Sequence, residues 1–348
     1  MKIDRKHILK AAVAVLVLGG LALCYVLFTK YYDRKIPNIF GEAELFIRPG
    51  TPWDEVGDSV AARSRVRWKA SLERAFEEEA ARGAFPKAGH YRVKEGMSSA
   101  SIARTISHGW QEPVNLVLSG SLRKKGVIAA KIAAQMLADS AAIMSALCDT
   151  TLLESLGYRP DNVFSLFIPD TYQVFWTDSP EEILRRQKKA SDAFWTQENL
   201  EKARRQGLSR EEVGVLASIV NGETNYEPEM PMIAGVYLNR LRKGMKLQAD
   251  PTVAFCFDYS LNRILKAHLK IDSPYNTYLN HGLPPGPICV PTKACLEAVL
   301  NPDNHGYLYF CASPEMDGTH RFAKGFIEHK KNARAFQKAL NLKLKSAS

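Results

Sequence analysis

The longest uninterrupted apolar run in the chain lies near its amino terminus. It extends from Ala11 to Thr29, 19 residues without a charged side chain, close to the roughly 20 that a helix needs to cross the core of a bilayer. The run passes directly into an aromatic and charged segment, residues 30–35, rather than into the small-residue site at which signal peptides are cleaved. The pattern therefore favours an uncleaved transmembrane helix over residues 11–29. A cleaved signal peptide is the alternative.

One local pattern recurs three times between residues 40 and 140: an extended apolar stretch, a turn glycine, and then apolar residues at helical spacing. The glycines are Gly50, Gly96 and Gly120, and glycine suits a turn because it adopts positive φ at little steric cost. The apolar positions that follow them are Val56 and Val60, Ile102 and Ile106, and Ile128, Ile132 and Met136. Short strands alternating with short helices predict a small α+β module, or a tandem of them, over residues 40–140. A chance recurrence of common glycine turns is the alternative.

Capping signals and apolar spacing predict a mainly helical region after residue 160. Two capping boxes, at Ser179 to Glu182 and at Ser209 to Glu212, predict a helix to about Gly207 and a second helix through Val220. A third helix is predicted over residues 231–243, and strands are predicted around residues 253–257 and 307–311. The last helix is predicted from an apolar stripe formed by Phe322, Phe326, His329, Ala333, Phe336 and Leu340. The predicted fold class is α+β, with an amino-terminal transmembrane helix and a few short strands.

The net charge of +10 lies at the two ends of the chain. Residues 1–35 hold seven Lys or Arg against two Asp, residues 321–348 hold eight against one Glu, and the remainder is close to neutral. A broad phosphate-binding face is therefore not expected, and nucleic acid is not a predicted partner. Basic residues flank the apolar run on both sides, so the positive-inside rule only slightly favours a cytoplasmic amino terminus. With that orientation, everything after residue 35 is extracytoplasmic.

Neither cysteines nor histidines indicate a metal site. Five cysteines follow the apolar run, an odd number without C-x-x-C spacing, and small buried hydrophobic residues are the favoured interpretation. The histidines of the carboxy-terminal region lack ligand spacing. We therefore expect no metal and no cofactor.

One carboxylate falls on an apolar helical stripe. The stripe Val213, Leu216, Val220 reaches Glu223 after three more residues, so helical geometry turns this side chain toward the core. Burial disfavours a charged carboxylate and raises its pKa, and a raised pKa is what a general acid at neutral pH requires. On spacing alone, a glutamate that caps the helix, pairs with an arginine or frays into solvent is the favoured interpretation.

Long, ordered motifs accompany Glu223. The segment LASIVNGETNYEPEMPMIAGVYLNRLRKGMKLQADPTV is followed by SPYNTYLNHGLPPGPI and by YLYFCAS, DGTHRF and a histidine. This arrangement closely resembles the YceG-like family of membrane-bound endolytic murein transglycosylases, the MltG type. The resemblance implies a cytoplasmic tail over residues 1–10, the anchor over 11–29, a LysM-like module over 40–140 and a catalytic domain over 160–345.

The resemblance also implies a reaction and a set of site residues. It implies a single-pass inner-membrane lyase that cuts nascent peptidoglycan strands internally, leaves a 1,6-anhydro-N-acetylmuramic end and acts as a candidate terminator of glycan elongation. Its partners would be glycan strands, the membrane and wall-synthesis enzymes such as penicillin-binding proteins. Glu223, which directly precedes Thr224, matches the family's catalytic glutamate. The residues that the resemblance assigns to the substrate cleft are Asn239, Gln248, Asp250, Thr252, Tyr275, Asn276, Thr277 and Tyr278.

Some positions depart from the family pattern, and rival interpretations remain open. Asn221 and Gly222 stand where members usually carry Glu-Lys or Glu-Glu, Phe164-Ser165 replaces Glu-Gly, and Pro291-Thr292 replaces Pro-Gly. These changes put local loop contacts in doubt. One rival is a non-catalytic peptidoglycan-binding scaffold for wall-synthesis enzymes, and the other is a hydrolase that uses Glu223 with Asp250.

Overall fold

The computed structural model describes residues 5–346 in two compact units. Unit 1 comprises the chain up to Asn115 together with Gln173–Thr177, and unit 2 comprises Leu116–Tyr172 and the chain from Asp178 onward. The first four residues of the predicted cytoplasmic tail lie outside the described residues. The domain boundaries proposed from the sequence, including the LysM-like assignment, stay predictions.

Unit 1 begins with one long apolar helix, α1 (Arg5–Lys35). It is longer than the predicted span because its ends continue into charged residues, and its apolar side chains are exposed. By length and composition it can cross a membrane. Its last turns pack on the rest of unit 1, where Asp33 accepts two hydrogen bonds from Arg74 at 2.9 and 2.7 Å. Arg74 lies 4.3 Å from the ring centre of Trp68, which Tyr32 also meets edge to face.

The rest of unit 1 alternates short strands with helices, as the repeated pattern predicts. Its elements are β1 (Ile39–Phe40), β2 (Ala43–Ile47), α2 (Trp53–Arg63), β3 (Arg65–Val66), α3 (Lys69–Ala81), β4 (Gly89–Val93) and α4 (Ser99–His108). Strands β2 and β4 pair antiparallel with Leu45 opposite Tyr91, and β1 pairs with β3. The alternating side chains of β2 face a core shared with the apolar stripes of α2, α3 and α4. The turn glycines Gly50 and Gly96 both have positive φ.

Unit 2 is mainly helical. Its helices are α5 (Lys125–Ala133), α6 (Ser140–Ala146), α7 (Thr150–Ser155), α8 (Pro180–Phe194), α9 (Gln197–Gln206), α10 (Arg210–Glu223), α11 (Met230–Arg242), α12 (Asp250–Cys256), α13 (Lys293–Leu300) and α14 (Phe326–Ser346). Short 3-10 turns lie at Val163–Leu166, Glu227–Glu229 and His268–Lys270. Strands β7 (Tyr309–Ala312) and β8 (His320–Ala323) form an antiparallel hairpin. Strands β5 (Val114–Leu118) and β6 (Asp170–Val174) form a further two-stranded sheet.

The core of unit 2 is built on α10. Every residue of this helix from Val213 to Val220 is buried, because α11, α12 and α13 pack around it. Its start is fixed by the predicted capping box, in which Ser209 and Glu212 exchange side-chain to backbone hydrogen bonds. A mixed, helix-rich fold with few short strands is thereby confirmed.

Three sequence predictions about local structure were wrong. The helix predicted from residue 180 to Gly207 is two helices, because Trp195 leaves helical geometry. Thr196 caps the second helix by accepting a hydrogen bond from the backbone N–H of Asn199. Residues 253–257 are not a strand, since most of them belong to α12, which carries Pro251 in its first turn. Phe322 lies in β8, not in the last helix.

Candidate active site

Glu223 is the last residue of α10. The helix ends there because Thr224 turns to an extended conformation, with φ of −147° and ψ of 150°. The stripe that predicted an inward carboxylate is buried, and the Glu223 side chain itself is only partly exposed. The end of a packed helix thus holds this carboxyl group against the core while leaving it reachable from one side.

Tyr237 binds the carboxyl group of Glu223. It lies on α11, is 1% exposed, and donates a hydrogen bond from its phenolic oxygen to Oε1 of Glu223 at 2.5 Å. Its ring meets Phe310 edge to face with ring centres 5.8 Å apart, which fixes the phenol in place. The sequence gives no signal for Tyr237, because its partner is 14 residues away on another helix.

Burial raises the pKa of Glu223 from its ordinary 4.5 to about 7. The hydrogen bond from Tyr237 and the charge of Arg240 act in the opposite direction, whereas the negative charge of Asp250 raises the pKa further. Burial and the neighbouring carboxylate also raise the pKa of Tyr237, so this phenol stays protonated and remains a donor. Near neutral pH the Glu223 carboxyl group can therefore both release and accept a proton.

Asp250 and Tyr278 form a second hydrogen-bonded pair near Glu223. Asp250 is the exposed first residue of α12 and accepts a hydrogen bond from the phenol of Tyr278 at 2.5 Å. Burial, that hydrogen bond and the charge of Asp250 raise the pKa of Tyr278. Asp250 therefore adds a fixed negative charge beside the candidate acid.

Gly222 lets α12 approach α10 closely. A Cβ atom at this position would lie 2.5 Å from Cβ of Pro251, so no larger side chain fits without movement. The approach brings the start of α12, and with it Asp250, toward the end of α10. Asn221 accepts a hydrogen bond from the backbone N–H of Thr292 at 3.2 Å. The two residues that depart from the family pattern thus have packing roles here.

Glu223 opens onto a cleft of about 680 Å³ in unit 2. One wall is the chain from Asn221 to Tyr226. Another belongs to the β7–β8 hairpin and its turn, through Ala312, Ser313, Met316 and residues 318–320. Phe336 and Leu340 of α14 supply an apolar surface, and Arg123 supplies a cation. A cleft with one acid, polar groups and apolar surface suits a saccharide, whose rings carry both hydroxyls and apolar faces.

The other predicted cleft residues fall into two groups. Asp250, Tyr278, Gln248 and Tyr275 are wholly or partly exposed, and Tyr275 packs on Phe255 with ring centres 4.6 Å apart. Thr252, Asn276 and Thr277 are buried, and their side chains bond within the protein: the two threonine hydroxyls lie 2.9 Å apart, and the Asn276 amide donates to two backbone carbonyls. Asn239 also donates to two carbonyls, of His305 and Tyr307. Their contact with a substrate stays a prediction.

Two arginines of α11 have protein partners. Arg240 is buried and donates to the carbonyls of Leu308, Lys246 and Leu247, and Arg242 contacts Gln206 and Asn239. Within residues 5–346, no group of three or more His, Cys, Asp or Glu residues could hold a metal ion.

The chain is similar to YceG-like proteins and to endolytic murein transglycosylases. The sequence model of the YceG-like family matches residues 45–335. The chain is 30% identical over 263 residues to the endolytic murein transglycosylase of Bacillus subtilis, covering 70% of this chain and 71% of that protein. It is 26% identical over 280 residues to the protein of the same name from Streptococcus pneumoniae, covering 71% of this chain but 50% of that one. The crystal structure of a yceG-like protein from Listeria monocytogenes superposes with a TM-score of 0.54 at 27% identity, covering 83% of this chain and 98% of that chain.

Proposed function

This chain belongs to the YceG-like family, and from that premise we propose that it is a membrane-anchored peptidoglycan lytic transglycosylase with Glu223 as its catalytic acid and base. The observation that carries the proposal is a carboxyl group with a pKa of about 7 at the wall of a polar and apolar cleft. The names of its relatives in Bacillus and Streptococcus supply the class of reaction.

In the first step, Glu223 donates its proton to the oxygen that bridges N-acetylmuramic acid and N-acetylglucosamine. The C1–O bond breaks as the proton arrives, and positive charge develops on C1 and the ring oxygen of the muramic sugar. Because Tyr237 occupies Oε1 of Glu223, the proton is transferred from Oε2. The negative charge of Asp250 favours the developing cation.

In the second step, the same carboxylate accepts a proton from the C6 hydroxyl of the muramic sugar while its oxygen bonds to C1. The products are a 1,6-anhydro end and a free N-acetylglucosamine end, Glu223 is protonated again, and no water is consumed. A single carboxyl group suffices because the nucleophile belongs to the substrate. A pKa near neutrality suits the double role, since a much lower pKa leaves the group without a proton to donate at neutral pH, and a much higher pKa makes it too weak an acid to protonate the bridging oxygen.

The wider role of the protein follows from α1. As a single-pass anchor in the bacterial inner membrane with a cytoplasmic amino terminus, α1 holds both units on the extracytoplasmic side, where nascent glycan strands emerge. Internal cleavage there would terminate strand elongation. Penicillin-binding proteins are the partners expected at that place.

The test uses the full chain in detergent with uncrosslinked glycan strands and mass spectrometry of the products. Glu223→Gln should lower the yield of anhydro ends by at least about a hundredfold, because the amide cannot donate the proton. Glu227→Gln is the matched control, since Glu227 is an exposed glutamate four residues away. Binding to purified sacculi, followed by sedimentation, should persist in both variants.

Three other outcomes would contradict the proposal, each in a different way. Anhydro products from Glu223→Gln would refute the assignment of the acid. Binding without cleavage by the unmodified protein would identify a scaffold. Products heavier by one water would identify a hydrolase, with Asp250 as the candidate second carboxylate.

A further inference from the structure

Residues 122–124 form a short segment at the edge of the cleft, and contacts hold the residues on either side of Arg123. Leu122 is buried, and its carbonyl accepts a hydrogen bond from the backbone N–H of Val290 at 3.0 Å. Lys124 forms an ion pair with Asp258 at 2.8 Å. Arg123 lies between these two residues, in the irregular stretch of chain that precedes α5.

The guanidinium of Arg123 lies 5.2 Å from the centre of the Tyr259 ring. Tyr259 is itself anchored, because its phenol donates a hydrogen bond to the carbonyl of Ile288 at 2.6 Å. A guanidinium that lies over an aromatic ring still has its N–H groups around its own edge, where they can donate hydrogen bonds to a ligand. Among the described residues 5–346, no side chain or carbonyl accepts a hydrogen bond from Arg123, and no carboxylate pairs with it.

Arg123 is also the permanent cation of the cleft. The one carboxylic acid among the residues that line it is Glu223, which is largely protonated below neutral pH. His320, on the opposite wall, is hydrogen-bonded to Glu229 at 2.8 Å. Arg240 and Arg242 are bound to protein acceptors, as described above. The cleft therefore presents one positioned guanidinium without an anion.

We propose that Arg123 is the binding site for a carboxylate of the glycan substrate, carried on the lactyl side chain of N-acetylmuramic acid or on the peptide attached to it. The proposal rests on the proposed function, because it takes the cleft to hold a muramic strand. A guanidinium presents two parallel donors to a carboxylate, which fixes orientation as well as adding affinity. Arg123 then makes the enzyme select strands by their acidic groups and sets the register of the strand relative to Glu223.

The two sources of the carboxylate can be separated by three substrates. Uncrosslinked strands with intact peptides carry peptide carboxylates but a lactyl amide. Strands treated with an amidase that removes the peptides carry only lactyl carboxylates. Strands whose peptide carboxyls are amidated chemically carry neither. KM and kcat for each are measured with the full chain and with Arg123→Gln, Arg123→Lys and the neighbouring control Lys124→Gln.

Arg123→Gln should raise KM about tenfold on the strands that carry the recognised carboxylate. It should change KM little on fully amidated strands, where the unmodified protein should already show the higher value. Arg123→Lys should recover part of the loss, because the charge remains, and Lys124→Gln should behave as the unmodified protein. An unchanged KM for Arg123→Gln, or an equal loss on amidated strands, would overturn the proposal.

A binding measurement keeps this test independent of catalysis. Fluorescence anisotropy of labelled strands with Glu223→Gln, with and without Arg123→Gln, reports affinity even if no product forms. Loss of affinity that disappears on amidated strands supports Arg123 in the absence of any cleavage, whereas equal affinity with and without Arg123→Gln refutes it. Absence of cleavage by the unmodified protein instead counts against the proposed function.

Discussion

The hydrogen bond between Tyr237 and Glu223 gives a prediction about pH dependence. Tyr237→Phe deletes the donor at 2.5 Å from Oε1 and keeps the ring that packs on Phe310. A hydrogen bond to a charged group contributes about 1.5 to 3 kcal/mol, and part of that persists in the protonated state. A differential near 1.4 kcal/mol corresponds to about one pKa unit. Since the phenol favours the carboxylate, its loss should raise the pKa of Glu223 above its present value of about 7.

The assay is the pH profile of kcat/KM for anhydro-product formation. The free enzyme must be protonated at Glu223 to act as an acid, so activity falls on the alkaline side through the pKa of this group. In Tyr237→Phe the alkaline limb should move up by about one pH unit. The plateau at lower pH should fall only a few-fold, because the acid itself remains in place.

A control variant separates this effect from a general loss of packing. Tyr307→Phe also removes a phenolic oxygen next to an aromatic neighbour, Phe322, but this oxygen forms no hydrogen bond among residues 5–346. It should leave the profile unchanged. An alkaline limb that stays in place or moves down in Tyr237→Phe would refute the assigned direction of the hydrogen bond.

Further predictions concern stability. The pKa of Glu223 is raised in the folded state, so the associated stability is complete below about pH 4.5 and is lost as pH rises through about 7. Glu223→Gln should therefore be more stable than the unmodified protein by up to about 3 kcal/mol at pH 8 and by much less at pH 5; an equal difference in thermal unfolding at both values would contradict this. Gly222→Ala should destabilise unit 2 by about 1 to 3 kcal/mol and lower activity, because its Cβ would meet Pro251 at 2.5 Å. Gly126→Ala, where nothing lies within 4 Å, is the matched control, and equal melting temperatures for the two variants would contradict the packing argument.

The sequence predicted the inward position of Glu223 but not the residues around it. The apolar stripe of α10 predicted that Glu223 points inward because helical spacing depends only on local sequence. Tyr237 was missed because a hydrogen bond between two helices depends on how they pack, which spacing within one helix does not encode. The same limit applies to Thr252 and Thr277, whose hydroxyls contact each other across 25 residues.

Two of the wrong predictions of secondary structure can be explained from the sequence. The run after Pro251 is rich in β-branched and aromatic residues, which favours a strand, yet a proline in the first turn is also a helix-start signal, and that signal was decisive in α12. Thr196 interrupts the long predicted helix because a threonine can cap a new one.

The ion pair of Asp33 with Arg74 has a mechanical consequence. It joins the last turns of α1 to α3 through two hydrogen bonds. These bonds attach α1 directly to the remainder of unit 1, rather than through a flexible linker. With α1 across a bilayer, as we propose, the remainder of unit 1 moves together with the transmembrane helix. A bilayer core thinner than the apolar run favours tilting of α1, and that tilt changes the height and the orientation of unit 1 above the lipid surface.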